Sequence, residues 1–254
     1  MERKTIDKCI AWLRKYFEDA GSPKAVIGIS GGKDSTVVAY LCVEALGKDN
    51  VVGVLMPNDE QADIADSYEV VNALSIQHIT LDISASYNGL VYQFEDKANK
   101  PVSKNAKVNL APRIRMAALY MVAQTVGGRV VGTGNLCESI LGYYTLWGDG
   151  VCDVNPIANM LVSEVVELGE ALGVPGHLVH KAPSDGLTGK TDEESFGFTY
   201  RDAEACILHD WNAVSEDAKA KIEKKIDAAL WKWNIRPHIP CFDDWDLKWH
   251  SKSR

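Results

Sequence analysis

The chain has 254 residues, of which 46% are hydrophobic and 24% are charged. These proportions are ordinary for a globular protein with a full core, so neither disorder nor a fold that depends on disulfides or metal is expected. The net charge of -8 argues against a surface built to hold nucleic acid or anionic lipid.

The six cysteines are widely spaced and form no C-x-x-C pair. They are interpreted as reduced thiols of a cytoplasmic protein rather than as a zinc or redox site. The N-terminal residues lack an uninterrupted apolar core of the signal-peptide type, and no segment approaches the roughly 18 consecutive apolar residues of a membrane span. The sequence therefore predicts a soluble protein without nucleic-acid or membrane partners.

Strands and helices alternate along the chain. The predicted strands are 25–30, 51–56, 76–82 and 129–135. The predicted helices are an N-terminal one with an apolar face over 6–17, then 35–46, 60–74, 85–96, 112–126 and 162–172. Apolar strands separated by segments of helical length predict an α/β fold, a doubly wound parallel sheet with helices on both faces. We expect a single domain over 1–254, with a C-terminal helical and aromatic segment from about 201.

Two stretches are predicted from weaker patterns. Residues 97–108 are polar, lysine-rich and weakly periodic, which favours a mobile loop, and the next helix is expected to begin at Pro112. The C-terminal helix is expected to present one apolar stripe. This stripe consists of Val214, Ala218, Ile222, Ile226 and Leu230.

The first chemical signal is the sequence SGGKDS at 30–35, between a predicted strand and a predicted helix. Glycines lack Cβ atoms, so this backbone can approach phosphate oxygens closely while the first helical N–H groups point at them. Ser30 and Ser35 add hydroxyl donors. Asp34 fits beside a phosphate when a cation lies between them, and Mg²⁺ is the expected cation. A simple tight turn from strand to helix is the alternative interpretation.

The SGGKDS loop resembles the loop of the ATP pyrophosphatases, which cleave ATP between the α and β phosphates. The resemblance implies a Rossmann-like fold of the adenine nucleotide alpha-hydrolase type, with the departing pyrophosphate held by the loop. Because members of this superfamily adenylate many substrates, the loop predicts the class of reaction more closely than the substrate.

Four further blocks are similar, in order and spacing, to those of the NAD synthetase family, so the resemblance covers roughly residues 20 to 202. They are MPNDEQAD (56–63), NLAPRIRM (109–116), GTGNLCESILGYYTLWGDGVCDVNPIANM (132–160) and HKAPSDGLTGKTDEESFGFTY (180–200). The resemblance implies a C–N ligase that amidates deamido-NAD with ammonia, through an acyl adenylate, to give NAD, AMP and pyrophosphate. It also implies a homodimer. Free ammonia is the expected nitrogen donor because the chain has no room for the amidase domain of glutamine-using relatives.

The resemblance also implies site residues by motif position. The expected ATP contacts are Gly28, Ile29, Ser30, Gly31, Gly32, Lys33, Asp34, Ser35, Gln61, Thr133 and Ser184. Asp34 and Glu138 would hold Mg²⁺. Arg113 and Asp153 would contact deamido-NAD, and Lys181 could neutralise its phosphates. Asp34, Glu138 and Asp153 are the expected catalytic residues.

Several of these residues have structural alternatives. Thr133 and Ser184 also fit turn caps, and Lys181 also fits a solvated loop lysine. Lys33 occupies the variable position of the loop, so no catalytic role is assigned to it. Arg115 is expected to be a structural ion-pair partner.

Three places depart from the family pattern. Leu146 replaces a lysine that meets the dinucleotide in the better-known form of the family, and Val162 replaces a lysine that meets ATP. Lys181 and Lys190 are the candidate replacements for these charges. The C-terminal His-Lys pair is not evident, and the nearest alignment puts Trp233-Asn234 in its place.

The C-terminal tail is aromatic instead, with Trp231, Trp233, Trp245 and Trp249. These rings could stack on a ligand, although core or dimer packing is the simpler account.

Two rival functions remain open at this point. One is another ligase of the ATP pyrophosphatase type that adenylates a different acid or base, against which the negative charge and the absence of an RNA-binding extension speak. The other is a sensor that binds ATP without chemistry. A sensor has little need for both Asp34 and Glu138 beside phosphate.

Overall fold

The computed structural model describes residues 1–59, 61, 64–182, 191–235 and 237–243. Its strands are β1 (Lys24–Gly28), β2 (Val51–Leu55), β3 (Gln77–Thr80) and β4 (Gly128–Val131). They form one sheet in the order β3-β2-β1-β4, and all of its neighbouring pairs are parallel.

The α-helices surround this sheet. They are α1 (Arg3–Asp19), α2 (Lys33–Leu46), α3 (Ile64–Ala73), α4 (Ser84–Ala98), α5 (Lys104–Val126), α6 (Leu136–Leu141), α7 (Val162–Ala171), α8 (Gly176–Val179), α9 (Asp192–Phe196), α10 (Tyr200–Ile207) and α11 (Glu216–Ile235). None of the helices in the described ranges is long and apolar enough to cross a membrane.

The two faces of the sheet are covered by different helices. In β1, Ala25 and Ile27 pack into a core shared with α1, α2 and α7, whereas Val26 packs on the opposite face against Val122 and Ala123 of α5. Alternate residues of a strand point to opposite faces, so β1 contributes to both cores. The predicted doubly wound parallel sheet with helices on both faces is confirmed.

The interpretation of residues 97–108 as a loop is wrong. The connection between α4 and α5 covers only 99–103, and α5 begins at Lys104 rather than at Pro112. Ser103 caps α5 by accepting a hydrogen bond from the backbone N–H of Ala106, a local signal that outweighs the weak periodicity. Pro112 therefore lies inside the helix.

The predicted C-terminal stripe is correct only in its first part. Ala218 and Ile222 of α11 are buried, as is Val214 just before the helix, but Leu230 is 45% exposed. Ala229 is buried instead, at the contact between α11 and Gly142 after α6. The buried stripe shifts by one residue because an α-helix has 3.6 residues per turn. Residues spaced strictly by four therefore drift around the helix and away from the contact surface. The single-domain interpretation of 1–254 stays a prediction.

Candidate functional site

A cavity of about 770 Å³ opens at the carboxyl ends of the strands. One part of its wall consists of the β1–α2 loop, the residues after β2 and the first half of α5. The other part consists of the segment after β4, residues 142–152, and Lys232 of α11. In a doubly wound fold, ligands bind at this edge of the sheet.

The SGGKDS loop leads directly from β1 into α2. Gly32 is the N-cap in an extended conformation, and the Ser30 and Ser35 hydroxyl oxygens are 3.0 Å apart. Gly31 has φ +76, and a Cβ there would lie 2.8 Å from Asp66 Cβ and 2.9 Å from the Ser67 backbone nitrogen. The close approach of α3 therefore requires glycine at this position.

Asp34 and Glu138 are brought together by Asn135, which is fully buried. The Asn135 side-chain amide donates to Asp34 Oδ1 (3.2 Å), and its backbone N–H donates to Glu138 Oε2 (2.9 Å). Asn135 Oδ1 accepts from the Glu138 backbone N–H, which completes a capping box at the start of α6. Burial and the neighbouring Asp34 raise the pKa of Glu138 to about 8.

The two carboxylates fit a divalent cation. Within the described ranges no group of three or more metal-ligating side chains exists. Mg²⁺, however, needs only one or two carboxylates when phosphate oxygens and water complete its octahedron. A pair of hard oxygen ligands that repel each other, next to a phosphate-type loop, meets that requirement. Asp34 and Glu138 are therefore the residues that would hold Mg²⁺.

A second group of charged residues, Asp149 and Lys232, lines the same cavity. Asp149 accepts a hydrogen bond from the Thr145 backbone N–H (2.9 Å), and its burial raises its pKa. Lys232 donates to the carbonyl oxygens of Gly142 (2.7 Å) and Tyr144 (2.6 Å), and burial lowers its pKa. Both residues line the cavity, and neither was among the site residues expected from the sequence.

Arg115, rather than Arg113, lines the cavity. The Arg113 guanidinium donates to the Leu146 carbonyl (3.3 Å), which holds the 142–152 segment. Arg115 Nε donates to the Met56 carbonyl after β2 (3.0 Å). Among the described residues, the hydrogen-bond partner of Arg115 is thus a carbonyl, and the carboxylate that acts on it electrostatically is Asp149, which opposes the lowering of the Arg115 pKa by burial.

Most other expected ATP residues are at the cavity. Apart from Gly31, residues 28–35 line it, as do Gln61 and Thr133, and so does Lys181, which was expected to contact deamido-NAD. The Lys181 ammonium also forms an ion pair with Asp66 (2.6 Å), so it is not a solvated loop lysine. Ser184 and Lys190 lie outside the described residues.

The Asp153 carboxylate forms hydrogen bonds away from the described cavity lining. It accepts hydrogen bonds from the Tyr120 hydroxyl (3.3 Å) and the Val130 backbone N–H (2.8 Å), and Asp153 is absent from the described cavity lining. Tyr16 donates to the Asp153 carbonyl (2.9 Å). These contacts attach the segment after β4 to the sheet.

The two apolar residues that replace family lysines, Leu146 and Val162, pack against the protein interior. Leu146 is 6% exposed, and Val162 packs in a cluster with Leu161 and Phe198. Trp233 Nε1 donates to the Ser139 carbonyl (2.8 Å), and its neighbour Asn234 is exposed. The residue of α11 that brings a positive charge to the cavity is Lys232. The sequence would have indicated it only if the alignment of Trp233-Asn234 with the family's His-Lys pair had been shifted.

The fold and the loop define a nucleotide-binding α/β protein of the adenine nucleotide alpha-hydrolase type. The model of the family described as NAD synthase matches residues 5–234, so this chain belongs to that family.

Individual relatives agree with this assignment. An NH(3)-dependent NAD(+) synthetase of Finegoldia magna is 36% identical over 225 residues, 88% of this chain and 90% of the relative. The structure of NMN synthetase from Francisella tularensis superposes with a TM-score of 0.83 at 32% identity, covering 96% of this chain and 98% of that one. An NH3-dependent NAD synthetase from Campylobacter jejuni, in complex with the nitrate ion, superposes with a TM-score of 0.76 at 26% identity, covering 94% and 99%.

Proposed function

We propose that this chain is an ammonia-dependent NAD synthetase, an ATP-dependent ligase that amidates deamido-NAD to give NAD, AMP and pyrophosphate. The observation that carries the proposal is one cavity in which the SGGKDS loop, the Asp34–Glu138 pair and the Asp149–Lys232 group face a common space. The first two suit the triphosphate of ATP. The third suits an acid substrate and its nitrogen donor.

The first step makes an acyl adenylate. A carboxylate oxygen of the substrate attacks the α-phosphorus of ATP, the bond from that phosphorus to the α–β bridging oxygen breaks, and pyrophosphate leaves. The loop N–H groups and the Ser30 and Ser35 hydroxyls hold the phosphates in line for this attack. Mg²⁺ bound by Asp34 and Glu138 would neutralise charge on the departing pyrophosphate. Gln61, Thr133 and Ser184 remain the proposed contacts to the rest of the nucleotide.

The second step replaces AMP with nitrogen. Ammonia attacks the acyl carbon, the bond to the AMP oxygen breaks, and the nitrogen loses a proton. Asp149 is the proposed proton acceptor because it is a cavity carboxylate whose pKa is raised by burial, which moves it toward the operating pH. Asp153, one of the three catalytic residues expected from the sequence, is proposed to position the segment that carries Asp149.

The acid substrate is proposed to bind beside Lys232, Arg115 and Lys181, which among the described residues are the lysines and the arginine that line the cavity outside the phosphate loop. Their positive charge suits the phosphates and carboxylate of a nicotinate nucleotide. The contact of Arg113 with the dinucleotide stays a prediction, and its hydrogen bonds to Leu146 favour a positioning role.

The chain is further proposed to act in the cytoplasm as a homodimer. The six cysteines, all of which lie in the described ranges, form no disulfide, which is typical of proteins in reducing compartments. Leu90, Tyr92 and Phe94 of α4 and Met121 of α5 are exposed to between 49% and 70%, and the surface of α4 and α5 is where a second copy of the chain is proposed to bind. Residues of the same α5 line the cavity, so a partner on this surface would lie near the site.

A second candidate function differs only in the acid. The Francisella tularensis structure, with the high TM-score given above, is of an NMN synthetase. Amidation that yields NMN starts from nicotinic acid mononucleotide, which lacks the AMP half of deamido-NAD. The same phosphate loop, acid pair and proton acceptor would serve both substrates.

The test is a coupled assay of purified protein with ATP, Mg²⁺, ammonium and either acid, followed by chromatography. Deamido-NAD should stimulate release of pyrophosphate and AMP in equal amounts, with NAD as the product. Asp34→Asn should abolish both, whereas Asp217→Asn, which removes an exposed carboxylate from α11, should not. A preference for nicotinic acid mononucleotide would establish the second candidate. Absence of stimulation by both acids would refute the synthetase proposal.

A further inference from the structure

Lys33 is a buried lysine next to the two acids Asp34 and Glu138. It is the first residue of α2 and is only 4% exposed. Its ammonium lies 3.0 Å from Asp34 Oδ2 and 5.7 Å from the centroid of the Tyr200 ring. Taking an ammonium out of water costs several kcal/mol after relaxation, so neighbouring charges must compensate for its burial.

Three carboxylates supply that compensation. Burial by itself lowers the pKa of Lys33, but Asp34, Glu138 and Asp192 outweigh it, so the pKa lies above its ordinary value and the lysine stays charged. Asp192 is 3% exposed and is held by the Tyr200 hydroxyl, which donates to its Oδ2 (2.9 Å). The positive charge is thus surrounded by acids from α2, α6 and α9.

The oxygens of Asp34 are both engaged by protein donors. Asn135 donates to Oδ1 and Lys33 donates to Oδ2. A divalent cation that uses Asp34 must therefore compete with the Lys33 ammonium for the same carboxylate. Lys33 also lines the cavity beside the Ser30 and Ser35 hydroxyls, and its flexible four-carbon side chain can reorient without movement of the helix.

We propose that Lys33 is an exchangeable counter-ion: it neutralises Asp34 while the site is free of nucleotide, and it transfers to a phosphate oxygen of ATP when the metal takes Asp34. This inference rests on the proposed function only in requiring that the site bind ATP and a divalent cation. Its consequence is that metal and nucleotide bind cooperatively, because the nucleotide offers the displaced ammonium a new partner.

The test compares Mn²⁺ binding, followed by the electron paramagnetic resonance signal of the free ion, with and without a non-hydrolysable ATP analogue. The variants are Lys33→Met, which removes the charge, and Lys33→Arg, which keeps it. Lys225→Met is the matched control, because Lys225 lies 4.5 Å from the centroid of the neighbouring Phe196 ring but does not line the cavity. Circular dichroism and thermal unfolding establish that each variant folds.

In the absence of nucleotide, Lys33→Met should bind Mn²⁺ roughly tenfold more tightly than the wild type, a change of about 1.4 kcal/mol. With saturating Mn²⁺ it should bind the ATP analogue roughly tenfold more weakly than the wild type, since a charge-assisted contact to phosphate is lost, whereas binding of the analogue in metal-free buffer should change little. The cooperativity between metal and nucleotide should fall accordingly. Lys33→Arg should retain most of it, and Lys225→Met all of it.

A Lys33→Met variant that folds but shows wild-type cooperativity would overturn the proposal and leave a structural ion pair. If Lys33→Met does not fold, the proposal is tested with two other variants. Cooperativity between metal and nucleotide must be retained in Lys33→Arg and lost in Asp34→Asn. None of these measurements uses an acid substrate or turnover. A chain that binds metal and ATP cooperatively but makes no NAD therefore refutes the synthetase function alone, whereas a wild type without ATP binding refutes both.

Discussion

Asn135 and Asp34 are 101 positions apart in the chain, yet the Asn135 amide donates to Asp34 Oδ1 over 3.2 Å. The same asparagine is the N-cap of α6 and holds Glu138 in its capping box. One buried side chain thus sets the spacing between the two proposed metal ligands, which come from the helices that follow the neighbouring strands β1 and β4.

Asn135→Ala should impair the use of Mg²⁺ more than it impairs folding. Loss of the cap should lower the free energy of unfolding by about 1 kcal/mol, while the Mg²⁺ concentration for half-maximal pyrophosphate release should rise on the order of tenfold. Thr199→Ala is the matched control, because Thr199 caps α10 with an equivalent capping box. Equal Mg²⁺ dependence in both variants would contradict a positioning role for Asn135.

Gly142→Ala should detach α11 from the site. Gly142 has φ +64, and a Cβ there would lie 2.5 Å from Ala229 Cβ of α11. The left-handed backbone costs about 1–2 kcal/mol and the clash adds about 1–3 kcal/mol. Gly127→Ala isolates the first cost, because Gly127 has φ +69 and a Cβ added there would meet nothing within 4 Å. Urea unfolding should therefore find Gly142→Ala clearly the less stable variant, and similar losses in both would refute the contact.

Lys232→Met should weaken binding of the acid substrate. The ammonium uses two of its three N–H groups on the carbonyls of Gly142 and Tyr144, and its charge faces the cavity. We expect KM for the acid to rise roughly 10- to 100-fold with a smaller change for ATP, since a charge-assisted hydrogen bond contributes about 1.5–3 kcal/mol.

The control for Lys232 is Lys221→Met on the same helix. Lys221 donates to the Gly197 carbonyl and pairs with Asp217, outside the cavity lining. It should leave both KM values unchanged. A matching rise of KM for the acid and for ATP in Lys232→Met would instead indicate a general loss of structure.

Asp149→Asn should stabilise the protein at neutral and alkaline pH. Burial raises the pKa of Asp149, so the native state holds its proton at pH values where the unfolded chain, with a pKa of about 3.9, has lost it. The stability of the wild type therefore falls as pH rises from that value through the native pKa. The asparagine variant lacks this loss, and Asn can still accept the Thr145 hydrogen bond.

Thermal unfolding between pH 3 and pH 9 measures this difference. The advantage of Asp149→Asn should vanish toward the acidic end, where the wild-type carboxyl is protonated in both states. The same variant should lower the rate of amidation more than the rate of pyrophosphate release, in line with a proton acceptor for the second step. A constant stability difference across pH would contradict a raised pKa.

The amino-acid sequence by itself determined the parallel α/β fold and the glycine loop at 30–35, because apolar period and glycine placement act over a few neighbouring positions. The pairing of Asp34 with Glu138 as metal ligands came from the resemblance to the NAD synthetase family and stays a prediction. Sequence-based prediction failed at 97–108, where a single cap at Ser103 begins α5 earlier than the apolar pattern indicates.

Only the tertiary structure decided which charges share the cavity. Asp149, Lys232 and Arg115 line it, while the carboxylate of Asp153 is engaged by the Val130 backbone N–H and a tyrosine hydroxyl. These outcomes depend on contacts such as that of Ala229 with Gly142, which join segments far apart in the chain. A rotation of α11 by one residue would move Lys232 out of the cavity without changing any local sequence pattern. Which lysine of α11 reaches the cavity is therefore decided by side-chain packing between distant segments and not by the local sequence.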